Sequence, residues 1–242
     1  MKVIVIIPAY NEEKTIGNVI DEIRKKSDID IVVVSDGSKD YTAKVARKKG
    51  AKVIELKKNH GVGYAMRTGY QYAKRNNYDI AVQVDADGQH DINYLDKLIV
   101  HICEENYDMV IGSRFVKKTD YSAPFFRYIG IQYFSFLIYL LHKKNIKDTT
   151  SGYRAVNKKM IHYFADYYPS GYPEVIILSL LLENCRKVCE IPVGMRKRQA
   201  GKSSITWQRA ICYFFSVTFL CIKQKINCKR DTDYGKNNKT DN

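Results

Sequence analysis

Over the first 112 residues, short runs of Val and Ile alternate with longer amphipathic segments. This alternation restricts the chain to an α/β fold in which helices cover both faces of a parallel sheet. Five runs read as strands: Val3 to Ile7, Ile31 to Val34, Lys52 to Leu56, Ile80 to Val84 and Met109 to Ile111. Each is nearly solid with β-branched residues, as a strand buried on both faces requires. Helices are expected between them near 13–26, 40–49, 62–76 and 92–105.

Each run stops at a small or polar cluster: PAYNEE, SDGSKD, KKNHGVG, DADGQHD and GSRF. Ligands of open parallel sheets bind beyond the carboxyl ends of the strands, so these five loops are expected to share one site. Asp85 and Asp87 follow the fourth run directly and offer hard oxygen donors. Mg²⁺ or Mn²⁺ takes one or two such carboxylates together with phosphate oxygens and water, which makes D-x-D a diphosphate clamp, with Gln89 and His90 adding polar groups. Asp91 reads as the N-cap of the next helix. Asp36 can accept hydrogen bonds from a base or ribose, and a plain turn with Asp40 capping the following helix fits the same residues. The glycines of Asn59-His60-Gly61-Val62-Gly63 allow backbone to approach phosphate at a helix N-terminus. Neither a dinucleotide fingerprint nor a P-loop lysine follows.

Beyond Arg114 the rhythm breaks. A Lys-rich stretch (117–127), an apolar helix (128–142), the loop DTTSGYR, helices at 157–167 and 174–186, and a strand from Val188 to Val193 lead to the basic loop MRKRQAGKSS and a helix at 205–223. The polar tail from Cys228 is expected to be disordered. The longest uncharged apolar stretches in the helices at 128–142 and 205–223, Tyr128 to Leu141 and Ala210 to Ile222, are each too short to cross a bilayer alone, which needs about 20 residues. With Lys143, Lys144, Lys223, Lys225, Lys229 and Arg230 at their ends, they can lie among lipid headgroups, or they can be buried against the sheet.

Forty Lys and Arg against 26 Asp and Glu leave a net charge of +14, which calls for an anionic partner or surface. Nucleic acid would satisfy that charge, and nineteen tyrosines could stack on bases, but the basic residues are dispersed and no recognised binding module occurs. A sugar-1-phosphate nucleotidylyltransferase would share the sheet and the metal, yet no Gly-rich basic loop follows the first strand. The run Val3 to Ile7 is too short for a signal-peptide core, and six cysteines without a CxxC pair read as reduced thiols in the cytosol.

In order, IPAYNEE, SDGSKDYT, NHGVGYAMRTG, VDADGQHD and GSRF resemble the family 2 glycosyltransferases of the GT-A fold, in particular the dolichyl- and polyprenyl-phosphate sugar synthases. The similarity continues through DTTSGYR, YPE at 172–174 and RQAGKSS at 198–204, covering roughly residues 1–205. Ser35 departs from the Asp that the family often places before DGS. The resemblance implies a Rossmann-like, mostly parallel sheet with helices on both faces over 1–204, an apolar interface helix over 205–227 and a tail over 228–242. It also implies a donor site in which Pro8, Ala9, Tyr10, Glu12 and Asp36 hold the nucleoside and Gly63 lies along the sugar nucleotide. Asp85, Asp87 and Gln89 would hold Mg²⁺ or Mn²⁺, while Arg114, Arg198 and Lys202 would neutralise phosphate.

The implied activity is inverting transfer from a nucleotide sugar to a polyprenyl phosphate or a growing glycan of the cell envelope. The implied location is peripheral, at the inner face of the membrane, on anionic lipid or docked on a small integral protein, without nucleic acid. Glu174 has two readings: a general base for a hydroxyl acceptor, or a first-turn acid favoured by the helix dipole. A lipid phosphate, already an anion, would need no base. UDP- and GDP-linked sugars both remain open as donors.

Overall fold

A computed structural model describes residues 1–117, 124–171, 173–196 and 207–237, the last without the side chains of 207–211 and 228–237. In chain order the elements are β1 (Val3–Ala9), α1 (Ile16–Lys26), β2 (Asp30–Asp36), α2 (Thr42–Lys48), β3 (Lys52–Leu56), α3 (Val62–Arg75), β4 (Ile80–Gln83) and, after a 3₁₀ turn at Ile92–Tyr94, α4 (Leu95–Glu104). Then come β5 (Met109–Ser113), α5 (Phe125–His142), β6 (Arg154–Asn157), α6 (Lys158–Asp166), α7 (Pro173–Glu183), β7 (Val188–Pro192) and α8 (Trp207–Asn237).

Among the described residues seven strands form one sheet, in the order β3-β2-β1-β4-β6-β5-β7. All the runs expected as strands are present. Strand β1 continues through Pro8, which the sequence pattern takes as its end. Ile6 accepts a hydrogen bond from Val84 across the β4 side, so Pro8, two residues on, faces that side too, where β4 has already finished. Its missing N–H therefore costs the ladder nothing.

The sequence pattern did not reveal β6. It pairs antiparallel with β4 on one side and β5 on the other, with Arg154 opposite both Gln83 and Ile111. Four residues headed by an arginine show no apolar run, so nothing in the local pattern marks Arg154–Asn157 as a strand. The reversal has a geometric effect: the loop that enters β6, DTTSGYR, lies at the edge where the parallel strands exit.

Helices α1, α2 and α4 bury Ile16, Ile20, Ile23, Ala46, Leu95 and Leu98 on one face of the sheet. On the other face α3, α5, α6, α7 and α8 enclose Met66, Tyr70, Phe134, Phe164 and Leu178. Helix α7 is apolar around most of its circumference, and it is covered accordingly, from Val175 to Leu178 and at Leu181. A polar network fixes α8 there. His142 Nε2 lies 2.9 Å from Ser179 Oγ, its Nδ1 lies 3.3 Å from Glu183, and Lys225 donates to Glu183 at 2.9 Å. Lys225 is thus committed to a protein carboxylate rather than to a headgroup. The backbone of α8 runs past 223 to Asn237, into the segment where the composition led us to expect disorder.

Burial against the sheet accounts for one face of each apolar helix, and the opposite face is exposed. Helix α5 buries Ile131, Phe134, Leu137 and Ile138 and exposes Phe125, Ile129, Phe136 and Leu140. Helix α8 buries Val217 and Cys221 and exposes Phe215, Phe219, Ile222 and Ile226, a single stripe at helical spacing. No described helix is long and apolar enough to cross a membrane.

Candidate active site

The carboxyl ends of β1, β2, β4, β5 and β7 and the entry loop of β6 meet at one edge of the sheet. The first two loops are stitched together. Ser38 Oγ accepts from Asn11 N–H at 3.1 Å, Asn11 Oδ1 accepts from Lys39 N–H at 2.8 Å, and Asp40 accepts from the N–H groups of both Glu13 and Thr42. Of the residues expected to hold a nucleoside, Pro8 and Ala9 lie in β1, Tyr10 stands out into solvent, and Glu12 accepts from Thr15 Oγ1 at 2.9 Å. Asp36 is buried, and its two oxygens take the N–H groups of His60 and Gly61 at 2.9 and 2.7 Å. It therefore anchors the loop ahead of α3. Gly63 faces the backbone of the loop between α6 and α7: a Cβ there would lie 2.0 Å from the Pro169 carbonyl oxygen. Its smallness serves close packing on that side.

Asp85 and Asp87 follow β4 into the crevice. Asp87 is buried and accepts from Gln89 N–H at 3.0 Å. Asp85 is the more exposed, and its oxygens face Gln83 Nε2 at 3.5 Å and His90 Nε2 at 3.4 Å. Gly152 packs so close that a Cβ would sit 3.1 and 3.2 Å from the two oxygens. Gln89 Nε2 points to the Arg196 carbonyl at 3.5 Å, Arg196 N–H donates to the Gln89 carbonyl, and a β-bridge joins His90 to Met195. These contacts bind the D-x-D loop to the start of the basic loop. Arg198 and Lys202, further along that loop, lie outside the described residues.

Arg114 is buried against Asp148, with Nε and one terminal nitrogen each 2.6 Å from a carboxylate oxygen and Thr150 Oγ1 at 3.0 Å. Asp148 also takes the Arg114 N–H. The cation expected to meet phosphate thus has its charge balanced inside the fold, and Arg114 holds the GSRF and DTTSGYR loops together.

Arg154, quoted above only as the last letter of a motif, occupies the centre of the site. Its guanidinium donates to the carbonyls of Ser151, Thr149 and Glu174 at 2.7 to 2.9 Å. It faces Glu174, Tyr70 and Tyr168 electrostatically. Burial raises the Glu174 carboxyl above its ordinary value, the Arg154 charge opposes that shift, and Asp85 adds to it. The acids and Arg154 therefore form one coupled set. An arginine heading a four-residue strand was the available sequence signal, but an isolated basic residue carries no spacing that marks it.

Among the described residues no three His, Cys, Asp or Glu side chains surround a common point suited to a metal. Two adjacent carboxylates can still serve a hard cation that completes its shell with phosphate oxygens and water.

The family described as glycosyl transferase family 2 matches residues 4–164. The UDP-N-acetylglucosamine–dolichyl-phosphate N-acetylglucosaminyltransferase of Methanococcus voltae is 32% identical over 208 residues, covering 78% of this chain and 83% of that protein. The dolichyl-phosphate hexose transferase of Haloferax volcanii is 27% identical over 224 residues, covering 92% and 95%. Among solved structures, glucosyl-3-phosphoglycerate synthase from Mycobacterium tuberculosis, crystallised with Mn²⁺, uridine diphosphate and phosphoglyceric acid, superposes with a TM-score of 0.73 at 19% identity, over 93% of this chain and 78% of that one. The nucleotidylyltransferase and nucleic-acid readings give way to this result. With its mixed sheet, its polar strand ends and this match, the chain belongs to the family 2 glycosyltransferases and has their GT-A fold.

Proposed function

We propose that this enzyme moves a sugar from a nucleoside-diphosphate donor to a polyprenyl phosphate, with inversion at the anomeric carbon and with help from Mg²⁺ or Mn²⁺. The observation that carries the reading is the placement of Asp85 and Asp87 at the end of a fully buried strand, where the donor loops meet. The names of the Methanococcus and Haloferax relatives support a lipid phosphate as acceptor.

Asp85 and Asp87, with Gln89 beside them, offer oxygen ligands of the kind a hard divalent ion takes. Such an ion, when bound, neutralises charge on the departing diphosphate. The stitched loops carrying Ala9, Tyr10, Glu12 and Asp36 line the nucleoside side of the crevice, and Arg198 and Lys202 supply further positive charge. Charge that develops on the leaving group is stabilised best by groups already oriented for it, so the fixed loops contribute more to the transition state than mobile ones would. A phosphate acceptor is an anion near neutral pH and attacks unaided. Glu174 then acts through Arg154, whose guanidinium its carbonyl holds, and not as a base. The raised carboxyl of Glu174 favours a second reading, in which it serves as the base for a hydroxyl acceptor.

The exposed stripes of α5 and α8, with a net charge of +14, support work at an anionic membrane surface on the cytoplasmic side. The test of function is incubation with a panel of nucleotide sugars, Mg²⁺ or Mn²⁺ and polyprenyl phosphate, followed by mass analysis of the lipid. A glycosylated lipid phosphate is expected, and Asp87→Ala should abolish it with the fold retained. Undiminished turnover in that variant would remove the reading.

A further inference from the structure

The D-x-D motif is usually read as two acids, but the side chain that touches the first of them comes from five residues later. His90 is almost wholly buried, so substrate does not reach it. Its ring lies flat on Tyr153, with centroids 4.6 Å apart and planes 8° from parallel, and Tyr153 is in turn held by its hydroxyl on the Asp91 carbonyl. The Asp85 backbone N–H donates to His90 Nδ1 at 3.1 Å. That nitrogen therefore acts as the acceptor, which leaves Nε2 as the side of the ring that carries an N–H. Nε2 faces Asp85 Oδ2 across 3.4 Å, an electrostatic contact longer than a closed hydrogen bond. One imidazole thus addresses both the backbone and the carboxylate of the same residue.

The rest of the surroundings point the same way. Gln83 Nε2 faces the other oxygen at 3.5 Å, and Gly152 leaves just the room that the carboxylate fills. The backbone bridge from His90 to Met195 fixes the imidazole relative to the beginning of the basic loop.

We propose that His90 is a positioning residue for Asp85: stacked on Tyr153, it presets the Asp85 carboxylate for a divalent cation and ties that setting to the basic loop through Met195. The inference rests on reading Asp85 as a cation ligand. A ligand whose orientation is set beforehand loses less freedom when the ion arrives, and groups that orient metal ligands are worth about 10- to 100-fold in metal affinity when removed.

The test titrates Mn²⁺ into the full-length protein with UDP or GDP and follows the electron paramagnetic resonance signal of the free ion. His90→Phe keeps a ring on Tyr153 and removes both nitrogens; His90→Gln keeps an N–H near the Nε2 position. Both lose Nδ1, the acceptor for the Asp85 backbone, and the Gln variant gives up the ring on Tyr153 as well, so a recovery in Gln despite that loss marks the contact to the carboxylate. His90→Phe is expected to weaken Mn²⁺ binding by about tenfold or more. His90→Gln should recover several-fold of that loss. In transfer assays the Phe variant should require more Mn²⁺ while its kcat at saturating Mn²⁺ returns toward the unaltered value. Mn²⁺ affinity in His90→Phe equal to that of the unaltered protein, or equal losses in Phe and Gln, would overturn the proposal. Asp85→Asn separates the levels: if it binds Mn²⁺ normally, the cation reading itself fails and takes this inference with it, whereas normal binding in His90→Phe alone removes only the role of His90.

Discussion

Arg114 grips Asp148 through two hydrogen bonds of 2.6 Å at a place where the aspartate has no exposed surface. Removing one partner of such a pair leaves the other charge buried without compensation, which costs about 3–5 kcal/mol. Asp148→Ala should therefore lower unfolding stability by that amount in urea titrations. Adding Arg114→Ala to it should cost little more, because the stranded charge is then gone. Strictly additive losses would show that the two side chains do not act as a pair.

Gly63→Ala separates packing from ligand approach. The added methyl would collide with backbone at Pro169, which cannot rotate away as a side chain can. A loss of about 1–3 kcal/mol is expected, read as a lowered melting temperature without nucleotide. A variant as stable as the parent but impaired in donor binding would instead favour the phosphate-approach reading.

Gly152→Ala should do the reverse. Its methyl would press on the ends of the Asp85 and Gln83 side chains, which can yield by a few tenths of an ångström. Stability should change by less than about 1 kcal/mol. Transfer should fall about tenfold, the scale on which a displaced metal-ligand orientation is felt. Parallel melting and steady-state assays read both.

For Glu174 the sign follows from its raised value. The folded state holds that proton more tightly than the unfolded chain does, so ionisation opposes folding. The contribution is fully present below the ordinary carboxylate value, about pH 4, and is lost as pH rises through the folded-state value. Glu174→Gln should raise the melting temperature at neutral pH, with the gain vanishing toward pH 4. With a polyprenyl phosphate acceptor its transfer rate should fall less than tenfold. A drop of about 10²-fold or more would identify a proton-transfer role and favour a hydroxyl acceptor.

The aromatic stripe of α8 gives the last prediction. Phe215 and Phe219 are 67% and 65% exposed, so changing both to Ser should leave melting unaltered. Burying an aromatic ring is worth about 1.5–3 kcal/mol. Sedimentation with anionic vesicles should therefore weaken at least about tenfold; unchanged sedimentation would count against a lipid-facing α8.

The parallel strands could be located from the sequence because a strand covered on both faces must be apolar along its whole length, and Val3–Ala9 and Asp30–Asp36 are so along most of theirs. The site loops could be located because they are what interrupts those runs. Strand β6 was invisible for the complementary reason: Arg154 satisfies its donors on the carbonyls of Thr149, Ser151 and Glu174, contacts that leave no periodic trace. Arg114 reads in sequence as a free cation after a strand, and only the folded chain brings Asp148 to it. His90 was legible as a polar neighbour of the acids, but its orientation depends on Tyr153, a distant residue with no motif of its own.

The reversed strand also makes α5 part of a closed excursion. The chain leaves the sheet after Ser113, forms the greasy helix, and returns at the same edge, with the Arg114–Asp148 pair fastening the neck. If bilayer contact tilts that helix, the strain will arrive at the base of the excursion, beside Asp85 and Arg154. Lipid engagement and sugar transfer would then be mechanically connected through that clasp.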